Sequence, residues 1–429
     1  MKRSKWATAG LLSVLLGTAI AAVSTNPASA AVPTRGTFFP LDPVRVLDTR
    51  DGLGVEGQHP GPLGDGQVTK LHITGVGGVP ETGAGAVVLN VTAVEAPGNG
   101  YITTYPCGGD RPVASSVNFT KGVAVPNLVT VKVGTNGDVC FFAHTQVQII
   151  ADLSGYYGDD FAARPGYHYH ELDPARILDT RDGTGLQDGR VAGPLAAGET
   201  IALQVHGAGG VPDSADVPDN ADVKAVTMNV TTADAATAGY LTVFPCDAPK
   251  PGSSNVNFDP SAPAVSNLAT VRVPANGEVC LFASQPVNVI ADVQGYFSPG
   301  AGVDFTPVTP LRVLDTRDGT GVDGHRVGKL GRAQEFRLHI GGTNGVPADA
   351  RAVLLNVTVT NADGAGFVTA YPCGRLRPLA SSLNFVRGVD RANLVKVRMN
   401  SAGDVCFYAH TGTDLVADLS GYYTPIAAV

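Results

Sequence analysis

Charged side chains are scarce in this chain, 16% of its 429 residues, and acids outnumber bases 38 to 30. A formal charge of −8 gives no general pull toward phosphate backbones, which excludes a nucleic-acid partner held by charge. Tryptophan is almost missing: Trp6 is the only one. Any flat ring offered to a ligand further along the chain must therefore be tyrosine or phenylalanine. There is no G-x-S-x-G, no H-E-x-x-H and no Cys-x-x-Cys. That removes the nucleophile elbow, the helical zinc-protease motif and the commonest paired-thiolate metal site. No segment keeps a 3.6-residue apolar period, so helices are not expected.

Residues 1–30 read as a secretory signal. Lys2, Arg3 and Lys5 precede an apolar run from Leu11 to Val23, and Ala28-Ser29-Ala30 supplies a small-x-small cleavage site. Cleavage before Ala31 leaves 27 bases against 38 acids, a formal −11. No cysteine follows the apolar run and the C-terminal GYYTPIAAV has no sorting motif, so neither a lipid anchor nor an integral membrane segment is expected in the mature chain. The expected location is extracellular, released or loosely held at the cell surface.

What is abundant is repetition. A segment of roughly 130 residues occurs three times. PVRVLDTRDG starts at Pro43, PARILDTRDG at Pro174 and PLRVLDTRDG at Pro310. Gly-Val-Pro, Asn-Val-Thr, Pro-Cys, Asn-Phe, Asn-Leu, Val-Cys and Gly-Tyr then recur in one order. The expected domains are residues 31–158, 159–299 and 300–429, each long enough for its own core. The six cysteines fall two per copy, as Cys107 and Cys140, Cys246 and Cys280, Cys373 and Cys406. Of the fifteen possible pairings, the repeat favours one bridge inside each domain, and export makes oxidation reasonable.

Each copy holds about eight short strand-like runs between Gly, Pro, Asn and Asp turns. In the last run Val147, Ile149, Ala151 and Leu153 share one face, as expected when one sheet packs on another. The fold class is all-β: three tandem antiparallel β-sandwich domains with one disulfide each, small β-barrels being the alternative. Short Gly- and Pro-containing linkers suggest three beads with limited freedom, or else a packed trimer-like arrangement.

Together these motifs resemble a module of secreted actinobacterial proteins, found singly or in tandem and sometimes beside a hydrolase domain. The resemblance covers nearly the whole chain after residue 30. It implies an extracellular accessory or surface module and carries over no reaction and no catalytic residues.

The strongest candidate site is Arg45, Asp48, Arg50 and Asp51, repeated as Arg176, Asp179, Arg181, Asp182 and as Arg312, Asp315, Arg317, Asp318. Guanidiniums there offer forked donors to a carboxylate or phosphate; opposite charges so close together also satisfy one another at a strand end and turn. The spacing lacks the D-x-D-x-D-G of a calcium loop, and no metal or other cofactor is expected. Asp152, Asp292 and Asp418 interrupt otherwise apolar last strands and need a partner such as Arg45. Asn90, Asn229 and Asn356 sit in Asn-Val-Thr inside a strand pattern, where backbone hydrogen bonding is expected rather than glycosylation. His168 and His170 share a side if extended, but two imidazoles in one linker do not make a metal site. His144 and His410 correspond while the second copy has Ser284, so no triad is common to all three. Tyr101, Tyr240 and Phe367 are candidate platforms or core residues.

The expectation is a non-catalytic, multivalent binding or adhesion protein for a cell-wall or environmental polysaccharide or a surface protein. A structural spacer of the cell exterior and a secreted hydrolase on a β scaffold are the alternatives.

Overall fold

The computed structural model describes Met1 and residues 35–159, 165–187, 189–213, 222–322 and 327–426. The signal expected over residues 1–30 lies outside them, Met1 apart. In the first repeat eight strands follow one another: β1 (Thr37–Asp48), β2 (Val68–His72), β3 (Ala84–Val94), β4 (Gly100–Pro106), β5 (Val117–Phe119), β6 (Val125–Lys132), β7 (Asp138–Ala143) and β8 (Gln148–Gly158). They pair antiparallel into two open sheets, ordered β1-β8-β3-β6 and β2-β7-β4-β5. Both sheets have free edges, so the barrel alternative does not apply. The sandwich has the strand order of a jelly roll. The second and third repeats build the same strand pairings from His168 to Ser298 and from Val303 to Pro425, and their β1-type sheets are joined through Val303 and Tyr169 into one sheet of eight strands.

Alternation sets the core of each sandwich. Val147, Ile149, Ala151 and Leu153 are fully buried against Leu71, Ile102, Val139 and Phe141 of the facing sheet. Each disulfide lies within one repeat and ties β4 to β7 or their counterparts: Cys107–Cys140, Cys246–Cys280 and Cys373–Cys406. Strand β8 runs five residues past Leu153, because Gly155 places its backbone against the Phe38 ring, where a Cβ would stand 2.5 Å from that ring.

The sheet containing β1 is also buried on its other face, and here the repeats meet. They are packed rather than strung as beads, and residues 32–429 form one compact unit. The three first strands touch pairwise near a pseudo-threefold axis, through Gly36 with Phe305, Phe38 with Tyr167, and Val303 with Tyr169. Around that axis six rings close a belt: Phe38, Tyr157, Phe305, Tyr423, Tyr169 and Phe297, with neighbouring centroids 4.4–5.1 Å apart. Contacts of this kind are each worth about 0.5–1.5 kcal/mol beyond the area they bury. Leu128, Leu268 and Leu394 complete this second core.

A polar ring lies beside the belt. The Leu128 N–H donates to Asn267 Oδ1 at 3.0 Å, Leu268 to Asn393 at 3.1 Å and Leu394 to Asn127 at 3.0 Å. Each of these asparagines donates through Nδ2 to the Asn-Val-Thr asparagine of another repeat: Asn127 to Asn356, Asn267 to Asn90 and Asn393 to Asn229. Every repeat thus satisfies buried groups of both others. Lys396, where the other repeats have Thr130 and Thr270, reaches into the belt. Its ammonium sits 4.5 and 4.6 Å from the Tyr169 and Phe297 ring centres and donates to Thr227 Oγ1 at 3.2 Å. Burial pushes its pKa well below the usual lysine value.

Candidate binding clefts at the repeat junctions

The Arg-x-x-Asp spacing of Arg45 and Asp48 would put the two on opposite faces of a regular strand. A register shift in the β1–β8 pairing between Arg45 and Leu47 turns both to the same side. The counterpart strands of the other repeats shift at the same place, beside Arg176 and Arg312. Arg45 Nε then donates to Asp152 Oδ1 at 2.9 Å and its Nη1 to Asp48 Oδ2 at 3.3 Å. Arg50 grips Asp48 with a fork, Nε to Oδ1 at 2.9 Å and Nη2 to Oδ2 at 2.6 Å. The other repeats copy the chain of contacts: Asp292–Arg176–Asp179–Arg181 and Asp418–Arg312–Asp315–Arg317.

The hydrogen bonds from Arg50 hold the Asp48 carboxyl below its ordinary range, against the cost of burial. Asp152 is displaced upward by burial, with Arg45 only partly offsetting it. Asp51, Asp182 and Asp318 stand outside this chain. They are exposed, and each closes the turn by accepting from the backbone N–H of Leu53, Thr184 or Thr320. That turn brings Gly54 so close that a Cβ would lie 2.1 Å from the Val46 carbonyl oxygen, at a φ of +70°.

These networks are not isolated surface features: they form one wall of the grooves between repeats. Arg312 and Arg317 of the third repeat share a cleft of about 360 Å³ with Tyr101, Arg111, Val113 and Asn118 of the first. Arg176 and Arg181 of the second share one of about 380 Å³ with Phe367, Arg377, Leu379 and Asn384 of the third. At the remaining junction Arg45 Nη2 donates to the Gly252 carbonyl at 3.4 Å; glycine stands there in the place of Val113 and Leu379. Volumes of this size lie within the range of small-ligand sites.

The rings on the second wall come from the outer sheet. Tyr101 lies 4.6 Å from His144 and Phe367 lies 4.9 Å from His410, both nearly parallel. Tyr240 is 6.0 Å from Phe282. Apolar tips stand at the rim, with Val113 80% and Leu379 81% exposed. Behind it, Glu95, Asp234 and Asn361 take left-handed φ values of 55°, 57° and 53° at equivalent points after the third strand of each repeat.

The other candidates serve contacts within the protein, two of the asparagines directly behind the clefts, which Ser115 and Ser381 help to line. Asn90, Asn229 and Asn356 donate to the backbone carbonyls of Ser254, Ser381 and Ser115, each in a neighbouring repeat. His168 Nδ1 contacts Asp304 Oδ1 at 2.6 Å and His170 Nε2 contacts Ser298 Oγ at 2.9 Å. Among the described residues no group of three or more His, Cys, Asp or Glu is placed to hold a metal, and no helix is long and apolar enough to cross a membrane.

Sequence reasoning passed over Arg111, Lys250 and Arg377. Each lies over an outer-sheet ring: Arg111 over Phe142 at 3.9 Å, Lys250 over Phe282 at 4.6 Å and Arg377 over Tyr408 at 3.7 Å. The signal was present, since each is a cation four residues after the first cysteine of its copy and directly before proline.

No protein-family model matches this chain, and no curated protein is similar to it. Solved structures with a distant likeness include the following three. "Life in the extremes: atomic structure of Sulfolobus Turreted Icosahedral Virus" has 8% identity over 85% of each chain, with a TM-score of 0.19. "Structure of the N-terminal CBM22-1-CBM22-2 tandem domain from Paenibacillus barcinonensis Xyn10C" has 11% identity over 59% of this chain and 99% of that one, TM-score 0.18. "The Triple Jelly Roll Fold and Turret Assembly in an Archaeal Virus" has 9% identity over 84% of each, TM-score 0.17. Overlaps this small leave the reading of the clefts to the residues that line them.

Proposed function

We propose that the chain is an extracellular, non-catalytic binding protein, a three-copy form of the secreted actinobacterial module, that engages a cell-wall or environmental polysaccharide through its junction clefts. The observation that carries this reading is the pairing, across repeats, of an aromatic ring with an array of guanidinium and amide donors. Rings pack on the apolar faces of sugars and forked donors read their oxygens, so one cleft supplies both kinds of contact. Binding is favoured over hydrolysis because each buried carboxylate of the network is held by an arginine. Several clefts on one rigid body add avidity along a polymer.

A spacer role is the second reading. It is supported by how much of the molecule serves internal cohesion: three sandwich cores, an axial core and three disulfides.

Co-sedimentation of the oxidised protein with purified bacterial cell walls and insoluble polysaccharides tests the proposal. Saturable binding, lost when Tyr101 and Phe367 are both replaced by alanine, is the expected result. No binding to any matrix removes the polysaccharide reading and leaves the spacer.

A further inference from the structure

Arg111 and Arg377 narrow the chemistry of the ligand, and the argument rests on the binding reading above. Neither guanidinium has a carboxylate partner among the described residues, whereas the neighbouring Arg312, Arg317, Arg176 and Arg181 are all ion-paired. Arg111 and Arg377 are exposed, and each lies against a ring at 3.9 and 3.7 Å. A guanidinium stacked this way is fixed in orientation while its edge, with parallel N–H donors, stays free. The intervening loop residues differ between copies, as GGDR, DAPK and GRLR, yet the cation and its ring recur in all three.

We propose that the clefts select a carboxylate-bearing glycan, with Arg111 and Arg377 reading the sugar carboxylate as a fork while Tyr101 and Phe367 pack against the ring. Each cleft is also lined by one aspartate outside the networks, Asp390 beside Arg111 and Asp234 beside Arg377, which the unpaired fork has to outweigh, whereas the carboxylates of the networks do not oppose the ligand. Asp315 and Asp418, Asp179 and Asp292 are buried and already neutralised by their arginines. The junction carrying Lys250 is the weaker site. It has a point charge in place of a fork, Ser284 in place of histidine and Gly252 in place of the apolar tip.

The test uses the full chain and matched pairs of soluble glycans: polygalacturonate, alginate and hyaluronate, each beside its methyl-esterified form, in calorimetric titration at low and physiological salt. Esterification removes the charge and keeps the sugar backbone. The expected result is that at least one acid form binds about tenfold or more tightly than its ester, and that salt weakens it. R111Q/R377Q abolishes that preference without lowering Tm, and R111K/R377K retains part of it. Equal affinity for acid and ester, or a preference unchanged in R111Q/R377Q, overturns the carboxylate assignment and leaves the binding reading standing. Binding to cell walls but to none of the acids also overturns it. Binding to neither glycan nor cell wall removes both.

Discussion

The two sheets of each repeat differ in how closely the three copies resemble one another. On the axial sheets the polar contacts repeat in all three copies, an Asn-Leu pair and an Asn-Val-Thr asparagine per repeat, with Leu–Asn hydrogen bonds that match within 0.1 Å, and the two aromatic rings per repeat exchange only Phe for Tyr. Towards the outer sheets the copies differ in the kind of side chain, with His, Ser and His at one position and Val, Gly and Leu at another. An interface that closes on itself must fit three times over, since each side chain is both host and guest. A cleft that faces solvent has no such obligation, and its copies can specialise.

The contrast is broken most severely at the axis. Asn127→Ala leaves the Leu394 N–H, Asn356 Oδ1 and the Ser116 carbonyl oxygen without their partner in a buried site. A stability loss of about 2–5 kcal/mol is expected in denaturant unfolding. Equivalent losses from Asn267→Ala and Asn393→Ala would sharpen the pseudo-symmetry; a loss confined to one copy would undo it.

Lys396 is the place where the axis departs from symmetry in charge. Its folded-state pKa is lowered, while an unfolded lysine titrates near 10.4. Burial therefore disfavours the protonated form on folding, at a cost that grows as pH falls from about 10.4 and levels off below the folded value. Lys396→Met keeps the bulk and removes the cost. The variant is expected to gain about 1–3 kcal/mol at pH 7, with the gain shrinking as pH approaches 10. A gain that does not depend on pH would mean that packing, not charge, is responsible.

Outer-sheet changes should be smallest in stability. Tyr101→Ala is expected to shift unfolding by less than about 1 kcal/mol, because the ring is only partly buried, while weakening cell-wall binding. A large stability loss there would make the ring a core element and weaken the cleft reading.

Much of this was legible in the sequence. Alternation around Val147 to Leu153 gave the sandwich, and the paired cysteines gave the bridges. The charged string at Arg45 to Asp51 pointed to a strand-end network, and Asp152 needed an arginine. What the sequence could not display is which residues meet across repeats. Asn127 and Asn356 are 229 positions apart, and nothing local to either says that it faces the other. The near-continuous apolar run of Ala86 to Val94 carried a hint, for a strand buried on both faces loses the polar half of its alternation. Likewise the ring of Tyr101 and the fork of Arg317 belong to different repeats, so their cleft exists only once the three copies close.

That closure has a topological consequence. The Arg35 guanidinium donates to the Pro425 carbonyl oxygen at 2.6 Å, so the described chain starts and stops at one corner of the body. Covalently it is a nicked circle whose nick falls at one of three equivalent seams. Joining residue 426 to residue 35 through a short linker and opening the chain between Ser298 and Val303 would give a circular permutant with every strand pairing intact.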